Sequence, residues 1–189
     1  SLMITGAAEG MFPTQFDIRN AFIQSELSSS ERINCQLPPE WAGNGDELKV
    51  RLVRSLYGLR VAPVTWYSTF RKGLIQLGWT ENLSEPGTFR RRSNDGKGWS
   101  YLMIYVDDCL LLAPSQQEGR ELSQKILDMF TGQFVDPISE KHGVLELDFL
   151  GLQVFWDAEN RSVRIVATKA IERMQKKFDF PEVSKRKIS

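Results

Sequence analysis

The sequence predicts an α+β fold, and three observations predict it. Some stretches alternate apolar and polar residues with a period of two, others repeat apolar residues at helical spacing, and short turns join the period-two stretches into antiparallel pairs. The 189 residues suit one compact domain, or a domain plus part of another. Apolar residues at 41% and aromatics at 11% argue for a buried core rather than a disordered chain.

The elements follow in order. "LMITGAAEG" reads as a short helix, and "MFPTQFD" as an extended run ending at Asp17. Ile33, Cys35 and Leu37 alternate until Pro38-Pro39 stops the run, and Leu48, Val50 and Leu52 alternate in the same way. The turn-rich "AGNGDE" between them predicts a hairpin. Trp66, Phe70, Leu74 and Leu77 fall at helical spacing, with Pro63 in the first turn and Gly78 just past the end, so a helix is expected from Pro63 to Leu77. Ser115 and Glu118 have capping-box spacing ahead of Leu122, Ile126, Leu127 and Phe130, a second amphipathic helix. Two strands are expected next, roughly Leu147 to Trp156 and Ser162 to Ala167, joined by "DAENR". A last helix carries Ile171, Met174 and Phe178, with basic residues near its C-terminus where they suit the helix dipole.

Charge and composition narrow the function. The chain has 24 basic and 24 acidic side chains, so any attraction to nucleic acid must come from local clusters. The clusters are Arg90 to Arg92, the pair Arg71 and Lys72, and a basic end with Lys176, Lys177, Lys185, Arg186 and Lys187. Taken alone, each reads as a solvated face. With only Cys35 and Cys109, the second inside an apolar run, a disulfide framework is not expected and a reducing, intracellular compartment is. His142 is the only histidine and lies in the polar turn "SEKHGVL", which excludes zinc sites that need two histidines. No stretch is long and apolar enough to span a bilayer, and no signal peptide is visible. The chain starts at Ser1 rather than Met and enters helix at once, so an excised piece is expected.

The most informative stretch is "SYLMIYVDDCLLLA", residues 100–113, which sets Asp107 and Asp108 in the most apolar part of the chain. "SYLMIY" and "CLLLA" are each long enough for a buried strand, and Val-Asp-Asp between them can form a tight turn. Asp is favoured in turns for its local hydrogen bonds, so a plain turn is one reading. Against it, the turn lacks Asn-Gly or Asp-Gly, the acids are adjacent, and Asp17 ends another strand far away in sequence. Carboxylates converging at strand ends repel one another unless a cation lies among them, and oxygen-only ligation suits Mg²⁺.

Five segments resemble, in order, the reverse transcriptases of copia-type LTR retrotransposons. They are "FDIRNAF" (16–22), "SLYGLRVAPVTWY" (55–67), "YVDD" (105–108), "DFLGLQV" (148–154) and "RIVATKAIERMQKKFDF" (164–180). The resemblance covers nearly the whole chain and implies a right-hand polymerase. Its palm, an antiparallel sheet packed on helices, would take residues 1–24 and 62–157, with the YVDD hairpin and the primer grip. A fingers hairpin would take 25–61, and the start of the thumb 158–189. The family's preceding fingers strands, most of its thumb and its RNase H domain would lie outside this fragment. The family pattern has Lys-Gln where Arg60-Val61 stand and Arg where Val64 stands.

By the same resemblance, Asp17 and Asp107, with Asp108 beside them, are the catalytic and metal-holding acids for two Mg²⁺ ions, Mn²⁺ being the alternative. Asn20 and Ala21 would present backbone N–H groups to the triphosphate. Phe22 would lie under the sugar and reject a 2′-hydroxyl, although a core aromatic is the other reading of that ring. Tyr57 and Gly58 would line the nucleotide pocket, and Phe149, Leu150 and Gly151 match the primer grip, a hairpin holding the primer end. Without the family, "DFLGLQVFW" reads as one buried strand.

The implied function is an RNA-directed and DNA-directed DNA polymerase fragment, a nucleotidyltransferase. Its partners would be deoxynucleotide triphosphates and an RNA or DNA template with its primer, with no membrane. It would work inside the cell, in a cytoplasmic particle or the nucleus. The second reading is a domesticated remnant that binds nucleic acid or a protein without polymerising. Oligomeric state stays open.

Overall fold

The computed structural model describes residues 2–41 and 49–178. The "AGNGDE" turn, Leu48 and the basic residues 185–187 lie outside them. The chain opens with α1 (Leu2–Ala8) and β1 (Phe12–Ile18), so the first strand runs one residue beyond Asp17. A short 3₁₀ turn, Ala21–Gln24, follows. β2 (Asn34–Gln36) and β3 (Lys49–Arg51) pair antiparallel with Cys35 opposite Val50, as the two alternating runs predict. α2 (Ala62–Gln76) carries Pro63 in its first turn and stops before Gly78, where a ring locked near the helical φ and a residue without a side chain are expected. Four strands come next: β4 (Thr80–Glu81), β5 (Thr88–Arg92), β6 (Trp99–Tyr105) and β7 (Asp108–Ala113).

α3 (Gln116–Met129) starts at Ser115, whose hydroxyl accepts from the Glu118 N–H. Only half of the expected capping box forms. The Glu118 carboxylate turns inward and accepts from Ser100 Oγ at 2.9 Å and Asn94 N at 3.1 Å, tying the helix to β6 and the loop before it. β8 (Gly132–Val135), β9 (Ser139–Lys141), β10 (Val144–Phe149), β11 (Leu152–Asp157), β12 (Ser162–Val166) and α4 (Thr168–Phe178) complete the chain.

One reading needs correction. The expected single strand from Leu147 to Trp156 is a hairpin, β10 turning into β11 at Leu150-Gly151. Its alternating apolar residues change phase at the turn, from Leu145, Leu147 and Phe149 to Leu152, Val154 and Trp156, as a two-residue loop requires. Arg90 to Arg92 form the end of β5, with Arg90 and Arg92 exposed as a solvated face and their guanidiniums 4.7 and 4.2 Å from the centre of the Trp99 ring.

Six strands form one sheet in the order β4-β5-β6-β7-β1-β8, and β12-β11-β10-β9 form a second. All recorded pairings are antiparallel. The alternation of side chains sorts the large sheet into two buried faces. Phe16, Ile18, Cys109 and Leu111 pack with Trp66, Phe70 and Leu74 of α2 and Leu122 and Ile126 of α3. Leu110 and Leu112 face the other way, against Met3 and Ala7 of α1 and Leu147, Val154 and Trp156 of the second sheet. Asp17 and Asp108 therefore belong to the face turned toward the second sheet. Two bonds lock that arrangement: in the core, Trp156 Nε1 donates to the Met11 carbonyl at 2.7 Å, and at its partly buried edge Gln15 Nε2 donates to the Asp148 carbonyl at 2.8 Å.

Candidate active site

β6 and β7 form the expected hairpin, with Tyr105 paired to Asp108 and a loop of only Val106 and Asp107. Of these two, Val106 alone has a left-handed backbone, φ 58°, the position that glycine holds in a type II′ turn. A β-branched residue there is strained by about 1–2 kcal/mol, so the surroundings must hold it. They do so from two sides. The Ile18 N–H of β1 donates to the Asp107 carbonyl at 3.0 Å, and the indole N–H of Trp66 donates to the Val106 carbonyl at 2.6 Å.

The acids converge from two strands. Asp17 and Asp108 are direct partners in the β1–β7 register, and Asp107 sits in the loop bonded to the residue after Asp17. Burial pushes the Asp17 carboxyl above its ordinary value, the Asp107 charge adds to this, and Arg19 opposes it. Burial also raises Asp108, followed by the charges of Asp107, Asp17 and Asp148. Asp148 is the acid that sequence reasoning missed. Its only signal was its place in "DFLGLQV", and it reaches the site because Gln15, on the Asp17 face of β1, holds its carbonyl.

Among the described residues, no three His, Cys, Asp or Glu side chains form a ready-made metal cage. The donor set nevertheless fits a hard divalent cation. Its oxygens are carboxylate, and Asp17 and Asp108 are both disfavoured as free anions by burial and by their neighbours, a cost that a cation would relieve.

The turn after β1 places the remaining candidates. Asn20 has a left-handed backbone, φ 51°, before the 3₁₀ turn in which Ala21 and Phe22 are buried. Gln24 clamps this turn: its Nε2 donates to the carbonyls of Arg19 at 2.6 Å and Thr131 at 2.8 Å, and its Oε1 accepts from Thr131 N at 2.9 Å. The Phe22 ring is 8% exposed and part of the first core cluster, with the Tyr57 ring 4.6 Å away and tilted by 55°. Tyr57 itself is 57% exposed. Partial burial of its hydroxyl, then the charges of Asp107 and Asp17, raise its pKa. Gly58 has φ 92°, and a Cβ there would meet nothing within 4 Å, so the backbone conformation, not crowding, calls for glycine. Val64, where the family pattern has Arg, is 73% exposed on α2.

On the other side, Leu150 and Gly151 form a two-residue loop with φ 55° and 75°, both positive as in a type I′ turn. They line a groove with Tyr105, Asp108, Asp148 and Arg173. Phe149 does not face it; its ring is buried in the second core cluster and anchors the hairpin. His142 lies exposed in the β9–β10 turn with φ 51°, and Cys35 and Cys109 are both free thiols.

The reverse transcriptase (RNA-dependent DNA polymerase) family matches this chain over residues 2–188. The chain belongs to that family. As a reverse transcriptase domain it resembles the Pol polyprotein of the tobacco transposon TNT 1-94, 25% identical over 167 residues, 88% of this chain and 12% of the relative. The Gag-Pol polyprotein of transposon Ty1-DR4 from Saccharomyces cerevisiae is 26% identical over 149 residues, covering 75% and 8%. That of transposon RE2 from Arabidopsis thaliana is 31% identical over 98 residues, covering 51% and 6%. The domain thus spans a small part of each polyprotein, and the copia-type retrotransposon resemblance of its motifs stands. Telomerase from Candida albicans, solved in complex with a TWJ fragment of telomeric RNA, superposes with a TM-score of 0.46 at 12% identity, covering 85% of this chain and 32% of that one.

Proposed function

We propose that this reverse transcriptase domain carries the catalytic centre of an RNA-directed and DNA-directed DNA polymerase encoded in a retrotransposon polyprotein. The observation that supports it most is the register that sets Asp17 opposite Asp108 with Asp107 in the adjoining loop. Asp17 and Asp107 would hold two Mg²⁺ ions, with Asp108 beside them and Mn²⁺ as the alternative ion. When bound, such ions activate a primer 3′-hydroxyl and neutralise the departing pyrophosphate.

The chain's own residues supply position. The turn at Asn20 and Ala21 meets the triphosphate, and Gln24 keeps that turn in place. Phe22 and Tyr57 flank the sugar, and the open space beside Gly58 admits the nucleotide. The Leu150-Gly151 loop, anchored by Phe149, seats the primer end next to Asp108. In this reading residues 1–24 and 62–157 are palm, 25–61 fingers hairpin and 158–189 the start of the thumb. Template and primer, RNA or DNA, and deoxynucleotide triphosphates are the partners. The site of action is inside the cell, in a particle or the nucleus.

Primer extension by the full-length parent on RNA and DNA templates tests the proposal. Magnesium-dependent extension on both is expected. A parent that binds template and primer but adds no nucleotide would instead be a domesticated remnant.

A further inference from the structure

We propose that Trp66 is a positioning residue for the acid-bearing loop, and that the indole N–H of α2 fixes the direction in which Asp107 points. This deepens the polymerase reading and rests on it. Two peptide carbonyls flank the Cα of the acids' loop, those of Val106 and Asp107, and each is captured by a donor from outside the hairpin. The Ile18 N–H fixes the Asp107 carbonyl, so β1 sets one end of the loop. The Trp66 Nε1 donates to the Val106 carbonyl at 2.6 Å, across 40 residues of sequence, and sets the other. With both peptide planes fixed, the Asp107 Cα–Cβ bond has one direction. Without the indole bond, the Val106 carbonyl would lose its partner, and a left-handed valine would be free to relax toward the common backbone regions.

Trp66 is itself held rigidly enough for this. It is 2% exposed, stacked on Phe70 at 5.0 Å with a 13° angle between planes, and met edge-on by Phe130 at 5.6 Å. The donor is therefore a fixed part of the core rather than a mobile surface group. The same helix follows directly on the Tyr57-Gly58 segment, so one element buttresses the acid loop and carries the nucleotide-side residues into place.

The direct test removes the N–H and keeps the shape. Trp66 is replaced by the isosteric benzothienylalanine, and in a second variant Trp66→Phe is made, with Trp79→Phe as the same truncation elsewhere in the core. Three readouts separate positioning from packing. Hydrogen exchange of the Ile18 amide, which donates to the Asp107 carbonyl, should rise at least tenfold in both Trp66 variants, while the amides of β7 beyond the loop keep their rates. Mn²⁺ affinity, titrated without substrate, should fall several-fold. In the full-length parent, kcat should fall about tenfold with KM for the deoxynucleotide nearly constant, a change in barrier of about 1.4 kcal/mol.

Trp79→Phe should lower stability with none of these three effects. Unchanged exchange and Mn²⁺ affinity in the benzothienylalanine variant would overturn the positioning role. Loosened exchange with unchanged kcat would show that the bond holds the loop but does not serve the chemistry. A wild-type parent that never extends primers would overturn the polymerase reading instead, and the exchange and Mn²⁺ results would still decide what the indole does.

Discussion

Asp17 and Asp108 are register partners across the β1–β7 ladder, so their Cα atoms are held at the spacing of one antiparallel pair. Two like charges in such a pair destabilise a sheet, and Asp107 adds a third at the loop. The arrangement has a cost in the empty site and a use in a filled one.

Asp17→Asn or Asp107→Asn should abolish nucleotide addition by the full-length parent, by about 10²-fold or more, because charge neutralisation of this kind is worth several kcal/mol. The same change at Asp17 removes a charge that burial and Asp107 disfavour, so the metal-free chain should melt at the same temperature or higher. Wild-type extension rates in either variant would sink the assignment.

The pH dependence of stability has a defined sign. Asp17 and Asp108 both lie above the ordinary aspartate value of 3.8 in the folded chain, burial being the first cause and Asp107 the next. The folded state therefore holds these protons more tightly than the unfolded state. The stability they contribute is full below 3.8 and is lost as pH rises through their folded values. Urea denaturation of the metal-free chain from about pH 4 to 7 should show a smaller loss in the Asp17→Asn, Asp108→Asn double variant than in the wild type. Mg²⁺ at the proposed site would bind the ionised folded form, and should offset the wild-type loss at the upper end. A double variant with an unaltered pH slope would show that these groups do not titrate as described.

Gly132 pairs with Ile18 in β8, and a Cβ there would lie 2.3 Å from the Asp17 carbonyl oxygen and 2.7 Å from Leu127 Cδ2. Gly132→Ala must push β8 away from the acid strand, and overpacking of this sort costs about 1–3 kcal/mol. Thermal denaturation should show the loss, and extension by the parent should fall with it because Asp17 moves. A variant as stable as the wild type would mean that β8 yields freely.

Phe22 is both a core residue and the ring against Tyr57, so Phe22→Val should have two separable effects. Truncating the buried ring should destabilise the chain by about 1–3 kcal/mol. If the ring also excludes a 2′-hydroxyl, ribonucleotide incorporation by the parent should rise at least about tenfold, equivalent to 1.4 kcal/mol. Incorporation ratios measured with both nucleotide types decide it. Lost stability with unchanged sugar preference would assign Phe22 to the core alone.

By itself the sequence determined the elements whose signals are local. The apolar strands around Val106, Asp107 and Asp108, the helix with Pro63 and Gly78 at its ends, and the Ser115 cap are each written within a few residues, where backbone preference and periodicity act. The five ordered motifs carried the family. Tertiary structure decided what depends on pairing between distant segments. No local pattern states that Asp17 lies opposite Asp108, that Gln15 brings in Asp148, or that Trp66 reaches Val106, because register and packing are set by which faces can be buried together. The turn at Leu150-Gly151 is marked locally only by a change of phase, from Leu147 and Phe149 to Leu152 and Val154, and by the primer-grip resemblance; the pairing of β10 back onto β11 was decided by the tertiary structure. Glu118 shows the competition directly. Its spacing from Ser115 offers a capping box, but the buried Ser100 hydroxyl and Asn94 N–H need an acceptor, and in the folded core they take the carboxylate.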